Sequence, residues 1–162
     1  MVKHVPTVAI LLGVQGGLEV LGSLFAMLYG LLYGAIAVMP LASPEMAEGP
    51  ENPEGLVAVM GGMSAIFLLA AAAVFALGVL KLVACFFNFR YRKRTLGMVA
   101  VASAFASLIT CYCAPTGIAL AVYGLIVYSQ DAVRKAFAMG EAGSSSDEIL
   151  RAALDLRSPY RD

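Results

Sequence analysis

Tryptophan is missing from this chain of 162 residues, and histidine occurs once, at His4. The lone His4 lies at the N-terminus, so no Ser or Cys nucleophile has a base that spacing supplies. No glycine-rich phosphate loop is present either. Charge is scarce too: 14% of the residues are Asp, Glu, Lys or Arg, against roughly 25% in an average soluble domain. The 11 basic and 11 acidic residues cancel, and nothing in their balance marks nucleic acid as a partner. These shortages predict a protein that is not an enzyme and carries no cofactor.

Apolar residues fill the space. They make up 60% of the chain, and the mean hydropathy is +0.84, which is membrane composition. A bilayer-spanning helix needs roughly 20 apolar residues, so four spans with short connections nearly use up the length. The spans predicted from the sequence cover about 7–39, 55–87, 96–114 and 115–130. The expected fold is therefore an all-α integral membrane protein, a four-helix transmembrane bundle of two helical hairpins. The first hairpin is long and the second short, and Ala114-Pro115-Thr116-Gly117 reads as the tight turn of the second. The transmembrane domain occupies 1–139 and a tail follows over 140–162. Lys3 ahead of the first span and the small residues Ala35 and Ala37 resemble a signal peptide. The apolar run is far longer than the 7 to 15 residues of a signal core, so the segment is expected to be retained.

Orientation follows from the cations. Arg90, Arg92, Lys93 and Arg94 form the one dense basic cluster, between the second and third spans. With Lys3, Arg134 and Lys135 they place both termini in the cytoplasm, in a bacterial inner membrane or a plasma membrane. The cluster serves as a topology anchor with lipid phosphates as its partners. Phe86, Phe87, Phe89, Tyr91 and Tyr128 supply an interfacial aromatic belt. The opposite loop, 40–54, carries Glu45, Glu48, Glu51 and Glu54 among four prolines and reads as a solvated, irregular connection.

Two amphipathic stretches follow the fourth span. Asp131 to Met139 gathers Val133, Ala136 and Phe137 on one side, which suits a helix at a membrane surface. After a break at Gly140 to Ser146, Ser145-x-x-Glu148 is a capping-box pattern that opens a short helix over about 147–157.

Within the first span, helical spacing collects Gln15, Glu19, Gly22, Ser23, Ala26, Gly30 and Tyr33 on one stripe, with Leu21, Leu24, Leu28 and Leu31 off it. Gly13 with Gly17, and Gly30 with Gly34, are GxxxG pairs, and Gly22 and Ala26 extend the small-residue face. The second span has a matching face in Ser64, Ala71, Val74, Gly78, Lys81, Cys85 and Asn88. Glu19 and Lys81 are the ionisable groups inside the spans, at depths of about 21 Å and about 13 Å at 1.5 Å per residue. They form either a structural pair fixing helix register or the lining of a polar path. Cys111 and Cys113, with Met39, Met46, Met60 and Met63, fall toward the external end, where thiols and thioethers together would suit copper(I). The plainer expectation is small buried apolar side chains and no metal.

Two functions remain open. The first is a non-enzymatic structural or accessory membrane subunit, packing through the small residues of spans one and two. Its partners are the lipid bilayer and other membrane subunits or copies of itself. The second is a small oligomeric transporter or channel using Glu19 and Lys81.

Overall fold

The computed structural model describes residues 2–42, 53–106 and 114–155. Among them every regular element is helical and no strand occurs. A single 3₁₀ turn, Val2–His4, leads into α1, Val5–Ala42, and α2 follows as Pro53–Phe89. Then come α3, Arg94–Ala106, α4, Ala114–Ser129, α5, Asp131–Glu141, and α6, Ser146–Asp155. α1 has 38 residues and α2 has 37, about 57 and 55 Å of helix at 1.5 Å per residue. Both are long and apolar enough to cross a membrane. A third candidate exists if α4 and α5 count together, although a 77° bend separates them.

By contacts between Cα positions the chain divides into two units, Met1–Leu18 with Leu77–Asp162, and Glu19–Ala76. The second pairs the C-terminal part of α1 with the N-terminal part of α2. Its buried polar hydroxyl, Ser64 Oγ, donates to the Gly30 carbonyl at 2.7 Å, and Tyr33 stacks on Phe67 with ring centres 6.1 Å apart. A Cβ added to Gly34 would stand 2.9 Å from Ser64 Oγ, and one on Gly30 would stand 3.0 Å from the Leu68 side chain. Small residues at these positions let the two backbones approach.

The first unit is built on small residues in α3 and α4. Gly97, Ala100, Val101 and Ala104 face Leu120, Ala121, Gly124 and Val127 at helical spacing, all of them buried. A Cβ on Gly124 would meet Val101 at 2.7 Å. The segment Ala114-Pro115-Thr116-Gly117, expected as a tight turn, is instead the first turn of α4. Proline is tolerated there because the first helical N–H groups have no intrahelical acceptor to lose.

Two helix ends close in the same way. At the end of α5, Gly143 N–H donates to Gly140 and Ser144 N–H to Met139, with Gly143 in the left-handed conformation at φ +99. At the end of α2, Tyr91 N–H donates to Asn88 and Arg92 N–H to Phe87, and the left-handed residue is Tyr91, at φ +50. A tyrosine in that conformation costs roughly 1–2 kcal/mol. Burial of its ring, edge-on to Phe137 at 5.8 Å, offsets that cost.

Candidate functional site

The basic turn is tighter than the eight residues NFRYRKRT suggest. α2 runs to Phe89 and α3 begins at Arg94, so Arg90 to Lys93 make the whole connection. Asn88 belongs to α2 and is fully buried. The four cations have different surroundings. The Arg90 guanidinium lies over the Phe86 ring and the Lys93 ammonium over the Phe87 ring, each at 4.6 Å, so that each ring face meets the charge itself. Arg92 is exposed and, with Arg90, borders a small polar hollow beside Ser144, Ser145 and Ser146. Arg94 is half-buried, and its Nη2 donates to the Tyr128 carbonyl at 2.6 Å. That carbonyl is among the last of α4, where a cation also complements the helix dipole. Arg94 therefore holds α4, a role that counting basic residues did not separate from lipid anchoring.

Tyr91 and Tyr128 depart from the belt expectation. A belt residue faces lipid, whereas Tyr91 is 1% exposed and Tyr128 0%. Both rings pack on Phe137 of α5. The cause is the break at Gln130, whose extended backbone (φ −71, ψ 134) ends α4 and turns α5 back over the α2–α3 connection. On the apolar side of α5, Val133, Ala136 and Phe137 are buried, and Phe137 covers these tyrosines. Burial pushes the Tyr91 hydroxyl above its ordinary pKa, and its proton is directed at the Val2 carbonyl at a long 3.4 Å. The N-terminus is held a second time by His4 Nδ1 and the Tyr123 hydroxyl, 2.7 Å apart.

At α6 the capping box closes in both directions. Ser145 N–H donates to Glu148 Oε2 at 2.8 Å, and Glu148 N–H donates to Ser145 Oγ at 3.3 Å. Ser146 Oγ then donates to the Phe89 carbonyl at 3.0 Å, tying α6 to the end of α2.

Along the long helices six polar side chains are inside. Gln15, Glu19, Ser23, Ser64, Lys81 and Asn88 are each 7% exposed or less. Leu21, Leu24, Leu28 and Leu31 are 49–63% exposed. Ser23 turns its hydroxyl back to the Val20 carbonyl of its own helix at 2.7 Å. Glu19 and Lys81 fall in different units of the chain. The small residues divide. A Cβ on Gly13 would meet Cys85 Sγ at 3.0 Å, but Gly17 and Gly22 have nothing within 4 Å, and Ala26 is half-buried. The tightest approach is at Gly16, outside both GxxxG pairs, where a Cβ would stand 2.8 Å from the Gly78 carbonyl and 3.0 Å from Lys81 Cβ. Its spacing of three residues from both Gly13 and Glu19 was the available signal.

Cys111 and Cys113 lie outside the described residues, as do residues 43–52 with Glu45, Glu48 and Glu51. Met60 and Met63 are on α2, Met63 being 45% exposed. No group of three or more His, Cys, Asp or Glu placed to hold a metal occurs among the described residues.

No family model matches the chain, and no curated protein or solved structure matches it either.

Proposed function

We propose that this chain is a non-enzymatic, multi-pass membrane protein with both termini cytoplasmic, a four-helix bundle that acts as a structural or accessory subunit. One observation carries the reading: the outer faces of α1 and α2 are almost wholly apolar, from Ile10 at 54% exposed to Met39 at 58% and from Ile66 at 68% to Phe86 at 55%, while Gln15, Glu19, Ser23, Ser64, Lys81 and Asn88 are buried. In water so large an apolar surface is unstable, whereas in lipid it is matched. Gly17 and Gly22 support the subunit role, because they leave backbone uncovered where another helix can approach. The test is purification in mild detergent followed by mass and partner analysis. A stoichiometric partner or self-association, lost in Gly17→Leu with Gly22→Leu while the chain still folds, is the expected result. A monodisperse monomer with no partner overturns the subunit role.

A second reading, a small oligomeric transporter, is supported by two ionisable residues held at 5% and 0% exposure, Glu19 and Lys81. Proteoliposomes that carry a flux with the natural chain and lose it with a stable Glu19→Gln variant decide in its favour.

A further inference from the structure

α5 and α6 are both amphipathic, and the Val2–His4 turn packs against each of them. Their apolar sides do not close fully on one another. Between them is a cavity of about 460 Å³, within the range of roughly 300–1,000 Å³ usual for small-ligand sites. Val2, Ala136 and Ile149 form its buried floor, and Leu150 and Ala153 its wall. Leu154, 65% exposed, carries the apolar wall outward. Lys3 and Lys135 stand on the same lining and are exposed, and among the described residues no Asp or Glu lines the cavity.

We infer that this cavity takes one acyl chain of an anionic phospholipid, with the headgroup phosphate held by Lys3 and Lys135. The inference rests on the membrane reading above, which puts the basic turn and both tail helices at the cytoplasmic interface, where such lipids are present. Apart from Gln130 and the two lysines, the described lining is apolar and suits a chain of CH₂ groups. The two ammonium groups at the rim select a negative headgroup. A partner helix fits less well. One turn of helix with its side chains, about 10 Å across and 5.4 Å long, fills roughly 420 Å³, so the cavity would hold a single turn, too little for a helix-in-groove contact with anchors spaced over two turns. An extended acyl chain has no such limit. The basic turn was the expected lipid contact, but Arg94 is committed to Tyr128, and the apolar chain-sized space lies beside Lys3 and Lys135 instead.

The test is native mass spectrometry of the full chain in detergent, titrated with phosphatidylglycerol, with phosphatidylcholine of the same acyl chains, and with glycerophosphoglycerol, the headgroup alone. The natural chain is expected to retain phosphatidylglycerol over phosphatidylcholine by about thirtyfold, roughly a factor of five per cation. Lys3→Gln with Lys135→Gln should bind both lipids equally. Ala153→Trp, which fills the space, should lose both, and Ala132→Trp at an exposed lining position repeats the test if Ala153→Trp does not fold. The inference is overturned by a preference that survives the double Gln variant, by full lipid retention in the folded Trp variant, by headgroup binding as tight as whole lipid, or by a polypeptide adduct in place of lipid. Carbonate extraction separates the two failures. A chain released from membranes by carbonate overturns the membrane reading, and one that stays but shows no lipid preference overturns this site alone.

Discussion

The Tyr91 carbonyl rests against the Cα of Gly140, with no room for a methyl group between them. This contact is what lets α5 lie on the α2–α3 turn, because Gly140 is the point where the last turn of α5 crosses the backbone of Tyr91. The neighbouring atom is backbone and cannot rotate away. Gly140→Ala should therefore lift the end of α5 and cost about 1–3 kcal/mol, the range for overpacking. Thermal unfolding in detergent reads it. A variant as stable as the natural chain would mean that α5 does not bear on Tyr91.

Tyr91 itself separates ring from hydroxyl. Tyr91→Ala removes the ring under Phe137 and should cost about 3–5 kcal/mol, as for other buried aromatics. Tyr91→Phe keeps the ring and loses a 3.4 Å hydrogen bond, so its cost should stay under about 1 kcal/mol. Equal losses in the two variants would shift the weight to the hydroxyl.

The same hydroxyl gives the alkaline behaviour a sign. Burial raises its pKa in the folded chain, above the value near 10 of an exposed tyrosine. The neutral form is the one the fold accommodates, so its contribution is complete below pH of about 10 and is lost as pH rises toward the folded value. Unfolding midpoints from pH 9 to 11.5 should fall more steeply for the natural chain than for Tyr91→Phe. Parallel curves would show that Tyr91 does not titrate on unfolding.

How legible all this was in the sequence depends on the residue. The inward stripe of α1 could be read because a 3.6-residue period sorts Gln15, Ser23 and Gly30 from Leu21, Leu24 and Leu28 without tertiary knowledge. The capping box at Ser145 and Glu148 could be read because it is local. Tyr91 and Tyr128 could not, since an aromatic at the end of an apolar run looks the same whether it meets lipid or protein. The 77° bend at Gln130 decides between them, and no proline or glycine marks it. Gly140 likewise sits in a stretch, GEAGSSS, whose composition says linker. Its role depends on Tyr91, 49 positions earlier in the chain.

Within the basic cluster, Arg94 and Arg92 should behave oppositely. Arg94→Ala leaves the Tyr128 carbonyl without its 2.6 Å donor, and an unsatisfied buried acceptor costs about 1–3 kcal/mol. Arg92 is exposed, so Arg92→Ala should change stability by less than about 0.5 kcal/mol. Unfolding in detergent, where no bilayer holds the topology, isolates the folding term from any anchoring term. Equal stability of the two variants there would return Arg94 to the role of a simple anchor.

Gly16 and Gly17 are neighbours with opposite expectations. A methyl group on Gly16 would meet the Gly78 carbonyl at 2.8 Å and the Leu82 nitrogen at 3.2 Å. Both are backbone atoms, so α1 and α2 must separate at that level, and Gly16→Ala should cost about 1–3 kcal/mol. The same methyl on Gly17 meets nothing within 4 Å, and alanine is the better helix former by roughly 1 kcal/mol. Gly17→Ala should therefore hold or raise the unfolding midpoint in detergent. Its larger relative, Gly17→Leu, should also fold, because the space around it is open in the single chain. If that variant is stable yet loses a partner that the natural chain retains, the open glycine is where the partner sits. If Gly16→Ala and Gly17→Ala are equally stable, the close approach of α1 to Gly78 is not what holds the two helices together.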